Sequence, residues 1–161
     1  MKQTTRQIAV GGITAALYAV LTWVTGAIAY GPIQLRIAEA LTMLPFLSPQ
    51  SVIGVTVGCF LANVPSGAGI PDLLIGTVAT LLGAVGTRFC GKHGKLWAAP
   101  LPPILANGIL VGGVQAWYTG KLTLGSYLIF AGQIAVSEAL VCYGLGIPLI
   151  LFLRKIRHKR D

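Results

Sequence analysis

Charge is scarce in this sequence, and negative charge is scarcest. The 161 residues include four Asp and Glu, and charged types together make up 10 %, against roughly 25 % in an ordinary soluble domain. So few charges cannot clothe a water-facing surface, which excludes a soluble globular chain. Hydrophobic types at 55 % and a mean hydropathy of +0.78 exclude a disordered one. Catalytic signatures are missing as well. There is no P-loop, no H-E-x-x-H and no G-x-S-x-G, the patterns that carry nucleotide, zinc-protease and serine-hydrolase chemistry. Without a nucleotide motif the chain cannot draw on ATP by itself. The two histidines, His93 and His158, sit in basic segments with no second ligand nearby. Cys59, Cys90 and Cys142 are scattered without C-x-x-C spacing and read as packing residues. No cofactor and no metal site is expected.

Long apolar stretches remain, and they define an integral membrane protein. A spanning helix takes about 20 residues, so six of them fill most of this length. The expected fold is an all-α, six-transmembrane-helix bundle. It forms one membrane domain over 1–161, with helices at about 8–29, 35–47, 51–64, 71–89, 96–118 and 124–154. The first run, from Ile8 to Gly26, is longer than a signal-peptide core of about 7–15 residues, and is expected to be a retained helix. The second is short of the hydrocarbon thickness of about 30 Å. Either the loop before it dips into the membrane or neighbouring helices shield it. Gly146 and Pro148 are expected to bend the last helix.

The formal charge of +8 follows topology rather than nucleic acid binding, because the basic residues flank apolar spans. Lys2, Arg6, Arg88, Lys92, Lys95, Arg154, Lys155, Arg157, Lys159 and Arg160 all fall on one side of a six-helix arrangement. Positive loops stay in the cytoplasm, so both termini are expected there. The basic tail suits anionic lipid headgroups. Trp117 and Tyr118 fit an aromatic belt on the other side.

A few polar residues stand out within the apolar spans. Glu138 lies midway along the last helix, without a basic neighbour within one turn. A carboxylate at that depth costs a few kcal/mol on insertion scales, so a ligand, a partner such as Arg36, or protonation must offset it. Arg36 and Glu39 share a helix face at i, i+3. They form either an internal ion pair or a ligand-facing pair, with Gln34 just before them. Asn107 and Asn63 are amides in apolar surroundings, able to bond a ligand or a neighbouring helix. Gln133 and Ser137 lie on the face next to Glu138. Asp72 suits a helix start, where free backbone N–H groups favour a carboxylate. Gly11, Ala15 and Ala19, with Thr22 and Gly26, form a stripe of small residues within an arc of about 80°. Such a stripe lets membrane helices approach closely, either inside this bundle or against a partner protein.

Five segments together resemble a known family. They are Gly31-Pro32-Ile33-Gln34-Leu35-Arg36-Ile37-Ala38-Glu39-Ala40-Leu41, Gly58-Cys59-Phe60-Leu61-Ala62-Asn63, Pro102-Pro103-Ile104-Leu105-Ala106-Asn107, Ser137-Glu138 and Gly144-Leu145-Gly146-Ile147-Pro148. In this order, and over nearly the whole chain, they resemble the QueT-type queuosine-precursor substrate-binding subunits of energy-coupling-factor (ECF) transporters. The resemblance implies a six-helix subunit in a prokaryotic plasma membrane that binds a micronutrient near its outer side. It implies association with a membrane coupling protein and two cytoplasmic ATPases. The small face of the first helix, here Gly11, Ala15 and Ala19, is then the docking surface. It also implies a 7-deazaguanine ligand. Such a ring presents an N–H beside an exocyclic amine, which one carboxylate can accept in parallel. Glu138 is the first candidate and Glu39 the second. Asn107 or Gln34 serves the ring carbonyl, Tyr30 or Trp117 stacks on the ring, and Asp72 meets an aminomethyl cation.

Two other classes compete. A stand-alone proton-coupled carrier would use Glu138 as its proton site, but the inverted repeat expected of many carriers is not apparent. An intramembrane enzyme would need a nucleophile–base pair or metal ligands at depth, and neither is found. An ECF subunit for another vitamin differs from the leading reading only in its ligand.

Overall fold

The computed structural model describes residues 3–29, 35–66, 69–120 and 123–158. Among these the chain is helical: α1 (Gln3–Val24), α2 (Gly26–Ala29), a 3-10 helix (Ile37–Phe46), α3 (Gln50–Asn63), α4 (Gly69–Lys92), α5 (Leu101–Tyr118), α6 (Leu124–Val141), a π-helical turn (Cys142–Gly146) and α7 (Ile147–His158). Short 3-10 turns precede α4 and α5. Four stretches are long and apolar enough to cross a membrane: Thr4–Val24, Gly69–Lys92, Leu96–Tyr118 and Leu124–His158. Ile37–Phe46 and Gln50–Asn63 are apolar but shorter.

Glycine seams set the packing of the long helices. A Cβ on Gly54 would lie 2.7 Å from the Gly11 carbonyl oxygen, and one on Gly58 would lie 2.8 Å from that of Ala15. These matched positions show α1 and α3 running parallel in near backbone contact. A Cβ on Gly83 would sit 2.7 Å from Pro103 Cα, and one on Gly86 2.4 Å from Pro102 Cβ, which makes α4 and α5 antiparallel. The Gly108–Ala135 and Gly112–Ala131 approaches do the same for α5 and α6. With no hydrophobic drive between helices in lipid, this close approach supplies the van der Waals contact that holds them. The large apolar side chains left outside, among them Ile13, Leu17, Leu82, Leu105 and Leu140, are exposed, as a lipid-facing surface requires.

The segment expected as a short α-helix over 35–47 is instead the ten-residue 3-10 helix. Runs of this winding rarely exceed 3–4 residues, and here almost every residue is buried. Three residues per turn align i and i+3, so the segment presents three distinct rows. Arg36, Glu39 and Thr42 form a polar row. Ala38, Leu41 and Leu44 pack into the cluster around Tyr18, Val55 and Cys59. Met43 and Phe46 pack into a second cluster with Leu96, Cys142, Ile147 and Ile150. An α-helix, at 100° per residue, would smear these rows around its axis.

The long last helix is interrupted as well. At Cys142–Gly146 it widens into a π turn, and the Ile147 N–H bonds the Cys142 carbonyl. A Cβ on Gly146 would lie 2.5 Å from Met43 Cγ, so this turn lets the 3-10 helix press against it. One end of the bundle gathers positive charge. Arg88 Nη1 donates to the Phe46 carbonyl at 3.3 Å, and the Arg154 guanidinium lies 4.7 Å over the Phe46 ring. The end of α4 and the start of the basic tail therefore share one level.

Gly58→Val is expected to lower the unfolding midpoint of the protein in detergent, since overpacking costs about 1–3 kcal/mol. Gly12→Val, where a Cβ meets nothing within 4 Å, should stay within about 0.5 kcal/mol. Equal effects of the two substitutions in thermal unfolding would contradict the α1–α3 seam.

Candidate functional site

Ionisable and amide side chains from five elements converge inside the bundle. Arg36 and Glu39 come from the 3-10 row, Asn63 from α3, Asp72 from the first turn of α4, Asn107 from α5 and Glu138 from α6. All six are buried; even mid-helix Glu138 is 6 % exposed. Three of the four acidic residues of the chain are thus inside. Arg36 is the one buried basic side chain among the described residues.

Each acid has a specific arrangement. Arg36 reaches Asp72, with Nη2 3.9 Å from Oδ2. Asp72 stands in the first turn of α4, as the helix-start reading expects, and its pairing with Arg36 is an addition to that reading. The Tyr18 hydroxyl, from α1, donates to Glu39 Oε1. The other oxygen, Glu39 Oε2, is buried with no hydrogen-bond donor among the described residues. The Asn107 amide Nδ2 donates to Glu138 Oε1. Buried polar atoms are nearly always paired, so the open Glu39 oxygen is a vacant acceptor in the middle of the cluster.

The two halves of the cluster meet at Cys142. Its Sγ lies 3.7 Å from Glu138 Oε2 and 3.7 Å from the Glu39 carbonyl oxygen, within reach of its single S–H for donation to either. Thr42 Oγ1 donates to the same carbonyl at 2.6 Å. Cys59 plays a similar part between α3 and α4. It accepts from Thr80 Oγ1 at 3.1 Å and from Asn63 Nδ2 at 3.6 Å, and its thiol donates to the Gly76 carbonyl at 3.7 Å. These two cysteines are buried, as packing residues are, but they also join the polar groups to each other. No cluster of three or more His, Cys, Asp or Glu suited to a metal occurs among the described residues.

Other expected residues fall elsewhere. Gln34 and Tyr30 lie outside the described residues. Ser137 is buried beside Glu138, whereas Gln133 is exposed. Trp117 does not reach the cluster. It is 56 % exposed and lines an apolar groove of about 460 Å³ with Leu74, Ile109 and Val114, between α4 and α5. The α1 stripe faces α3. Ala15 and Ala19 are 8 % and 3 % exposed, and Gly11 and Ala15 meet the glycines of α3. The small residues are used for packing within the chain, and α1 turns Gly12, Ile13, Ala16, Leu17 and Val20 outward instead.

Tyr18, Thr42 and Cys142 are participants that the sequence reading missed. Tyr18 had a signal: it is a large residue with a hydroxyl amid the small stripe of α1, and a buried Tyr O–H needs a partner. Thr42 had one in the spacing Arg36-x-x-Glu39-x-x-Thr42, visible only to a reading with a period of three. Cys142 had half of one: its i, i+4 spacing puts it on the face of Glu138, but nothing in the sequence brings Glu39 to the same thiol.

Long apolar helices closed around a charged interior define a multi-pass membrane protein. Comparison with known proteins narrows that class. The family model described as QueT transporter matches residues 8–155, and the chain belongs to that family. It is 40 % identical over 83 residues to the queuosine precursor transporter QueT of Lactococcus lactis subsp. cremoris (strain MG1363). That alignment covers 50 % of this chain and 48 % of the relative, so the chain spans about half the length of the curated relative it matches. No solved structure matches the chain.

Tyr18→Phe leaves the Glu39 carboxylate without its hydroxyl donor. It is expected to destabilise the protein by about 1–3 kcal/mol, the cost of an unsatisfied buried group. Gln133→Leu, on the exposed face of α6, should be neutral in the same thermal unfolding assay. A neutral Tyr18→Phe would show that the Tyr18–Glu39 bond does not contribute to holding the cluster.

Proposed function

We propose that this chain is the substrate-binding membrane subunit of an ECF-type importer and that its cargo is a 7-deazaguanine precursor of queuosine. It is not itself an enzyme. Membership of a transporter family and the name of the Lactococcus lactis relative support the cargo. The single observation that carries the site is the buried set of three carboxylates with one arginine, in which Glu39 Oε2 stands open.

The chemistry matches that cargo. A deazaguanine offers an N–H and an amine side by side, and a carboxylate accepts both in a charge-assisted pair. Glu138 takes that edge in our reading, with Glu39 as the second acceptor. Asn107, already bonded to Glu138, turns to the ring carbonyl, since an amide both donates and accepts. Asn63 and Gln34 complete the polar lining. Arg36 and Asp72 hold the mouth. An aminomethyl substituent, as a cation, offsets the excess of acids better than a nitrile does. The present contacts of Tyr18 with Glu39 and of Asn107 with Glu138 are then those of a closed site, which entry of the ligand exchanges for its own.

In the same proposal the chain is one membrane domain with six crossings. The two short helices are shielded by their neighbours, and both termini lie on the cytoplasmic side of a prokaryotic plasma membrane. A membrane coupling protein and two ATPases supply the energy. The coupling protein meets α1 along the small-residue stripe of Gly11, Ala15 and Ala19, which Gly12 and Ala16 widen outward and so leave room for close approach. The bilayer is the other partner, and nucleic acid is none.

Equilibrium binding to the purified protein in nanodiscs tests this reading. Nanomolar affinity is expected for 7-aminomethyl-7-deazaguanine, weaker affinity for the 7-cyano form, and none for thiamine or riboflavin. Glu138→Gln and Glu39→Gln should each weaken binding by about tenfold or more, equivalent to about 1.4 kcal/mol. Folded protein that binds neither deazaguanine overturns the ligand assignment. Uptake into vesicles that contain no ATPase would favour a stand-alone carrier with Glu138 as its proton site.

A further inference from the structure

A second cavity, far from the acids in character, lies between the end of α4 and the start of α5. Its volume is about 680 Å³, within the range of about 300–1,000 Å³ typical of ligand pockets. Phe89, Leu101, Pro102 and Leu105 form its apolar wall, and His93 and Lys95 stand at its rim. Phe89, Leu101 and Leu105 are exposed, so the wall opens to the surroundings of the bundle rather than to its interior. The His93 ring lies against Phe89, with centroids 4.3 Å apart, and its Nδ1 is 2.9 Å from the Phe89 carbonyl oxygen. The rim is therefore held in place relative to the wall.

Charge and depth identify the occupant. Lys92, the last residue of α4, immediately precedes His93, and Arg88 and Arg154 lie at this end of the bundle through Phe46. Among the described residues no acid accompanies them, since Glu39, Asp72 and Glu138 are buried in the cluster already described. Trp97 is exposed beside the rim, and its carbonyl accepts the Tyr143 hydroxyl at 3.0 Å. An exposed tryptophan at a helix end marks the headgroup level of a bilayer. The site thus has a basic, aromatic rim at headgroup level and an apolar groove below it. Basic pockets between membrane helices take anionic lipid headgroups.

We propose that this groove is a binding site for one anionic phospholipid, with its phosphate at Lys92, His93 and Lys95 and an acyl chain along Phe89, Leu101 and Leu105. The inference rests on the membrane setting alone and stands or falls separately from the deazaguanine reading.

Cys90 supplies the test, because its thiol lines the groove and is only partly buried. The full chain is placed in nanodiscs of phosphatidylcholine, with or without phosphatidylglycerol of the same acyl chains. Cys90 is then labelled with an uncharged maleimide, and its rate is read relative to a control thiol introduced by Leu124→Cys at the exposed start of α6. Phosphatidylglycerol is expected to slow the relative labelling of Cys90. Lys92→Gln with Lys95→Gln should remove that protection, at about fivefold in affinity for each basic residue lost. Inorganic phosphate in phosphatidylcholine discs should not protect. Equal relative labelling in the two lipids, protection that survives the double substitution, or protection by phosphate alone would each overturn the proposal.

Discussion

A carboxylate buried at membrane depth has to be compensated, and Glu39 is the point where this molecule meets that demand. Its side chain takes the Tyr18 hydroxyl from α1. Its backbone carbonyl takes Thr42 one 3-10 turn on and the Cys142 thiol from the π turn. One residue thus ties together the first helix, the buried 3-10 helix and the interruption of the last one. An ionised group inside a membrane protein costs several kcal/mol unless hydrogen bonds and opposite charge surround it. The unusual backbone of the neighbouring segments supplies those groups: the 3-10 winding lines up Arg36, Glu39 and Thr42, and the π turn brings in Cys142.

The same constraint connects fold and proposed function. Neutral donors, Tyr18 and Asn107, occupy the oxygens that a nitrogen-rich ring would need. A hydrogen bond to a carboxylate is worth roughly 1.5–3 kcal/mol net, so a ligand replaces it by offering the same carboxylate two parallel donors in place of one. A closed interior of this kind holds its acids in place without a ligand and still offers them to one. The basic end of the bundle has the opposite character. Its charges face outward with apolar surface beside them, a setting for the bilayer rather than for a small polar molecule.

Much of this was legible in the residues. The scarcity of charge and the long apolar runs define a helical membrane chain, because a run of about 20 apolar residues crosses a bilayer as a helix, which satisfies its own backbone in lipid. Glu138, Asn107, Glu39, Arg36, Asn63 and Asp72 stood out because polar groups in such runs are costly, and the structure gathers them in one interior. The stripe of Gly11, Ala15 and Ala19 was equally visible, but its use was not. Small residues permit close approach to any helix, and only the glycines facing them on α3 show that the neighbour is this chain's own. The winding of residues 37–46 escaped as well, since an apolar run with two interior polar residues fits an α-helix as readily as a 3-10 helix.

The sequence by itself therefore determined the solvent of this protein, its helical class and the residues it cannot leave exposed to lipid. These are sums over composition and local spacing, and they hold whatever packs on what. The tertiary structure alone decided the partners: Tyr18 for Glu39, Asp72 for Arg36, Asn107 for Glu138, and Cys142 between the two glutamates. It also decided that a ten-residue segment winds tightly enough to serve a polar row and two apolar clusters at once. Apart from Cys142 and Glu138, four positions apart, these residues are separated by 21 to 103 positions, so their pairing depends on how whole helices meet, and no local pattern records that.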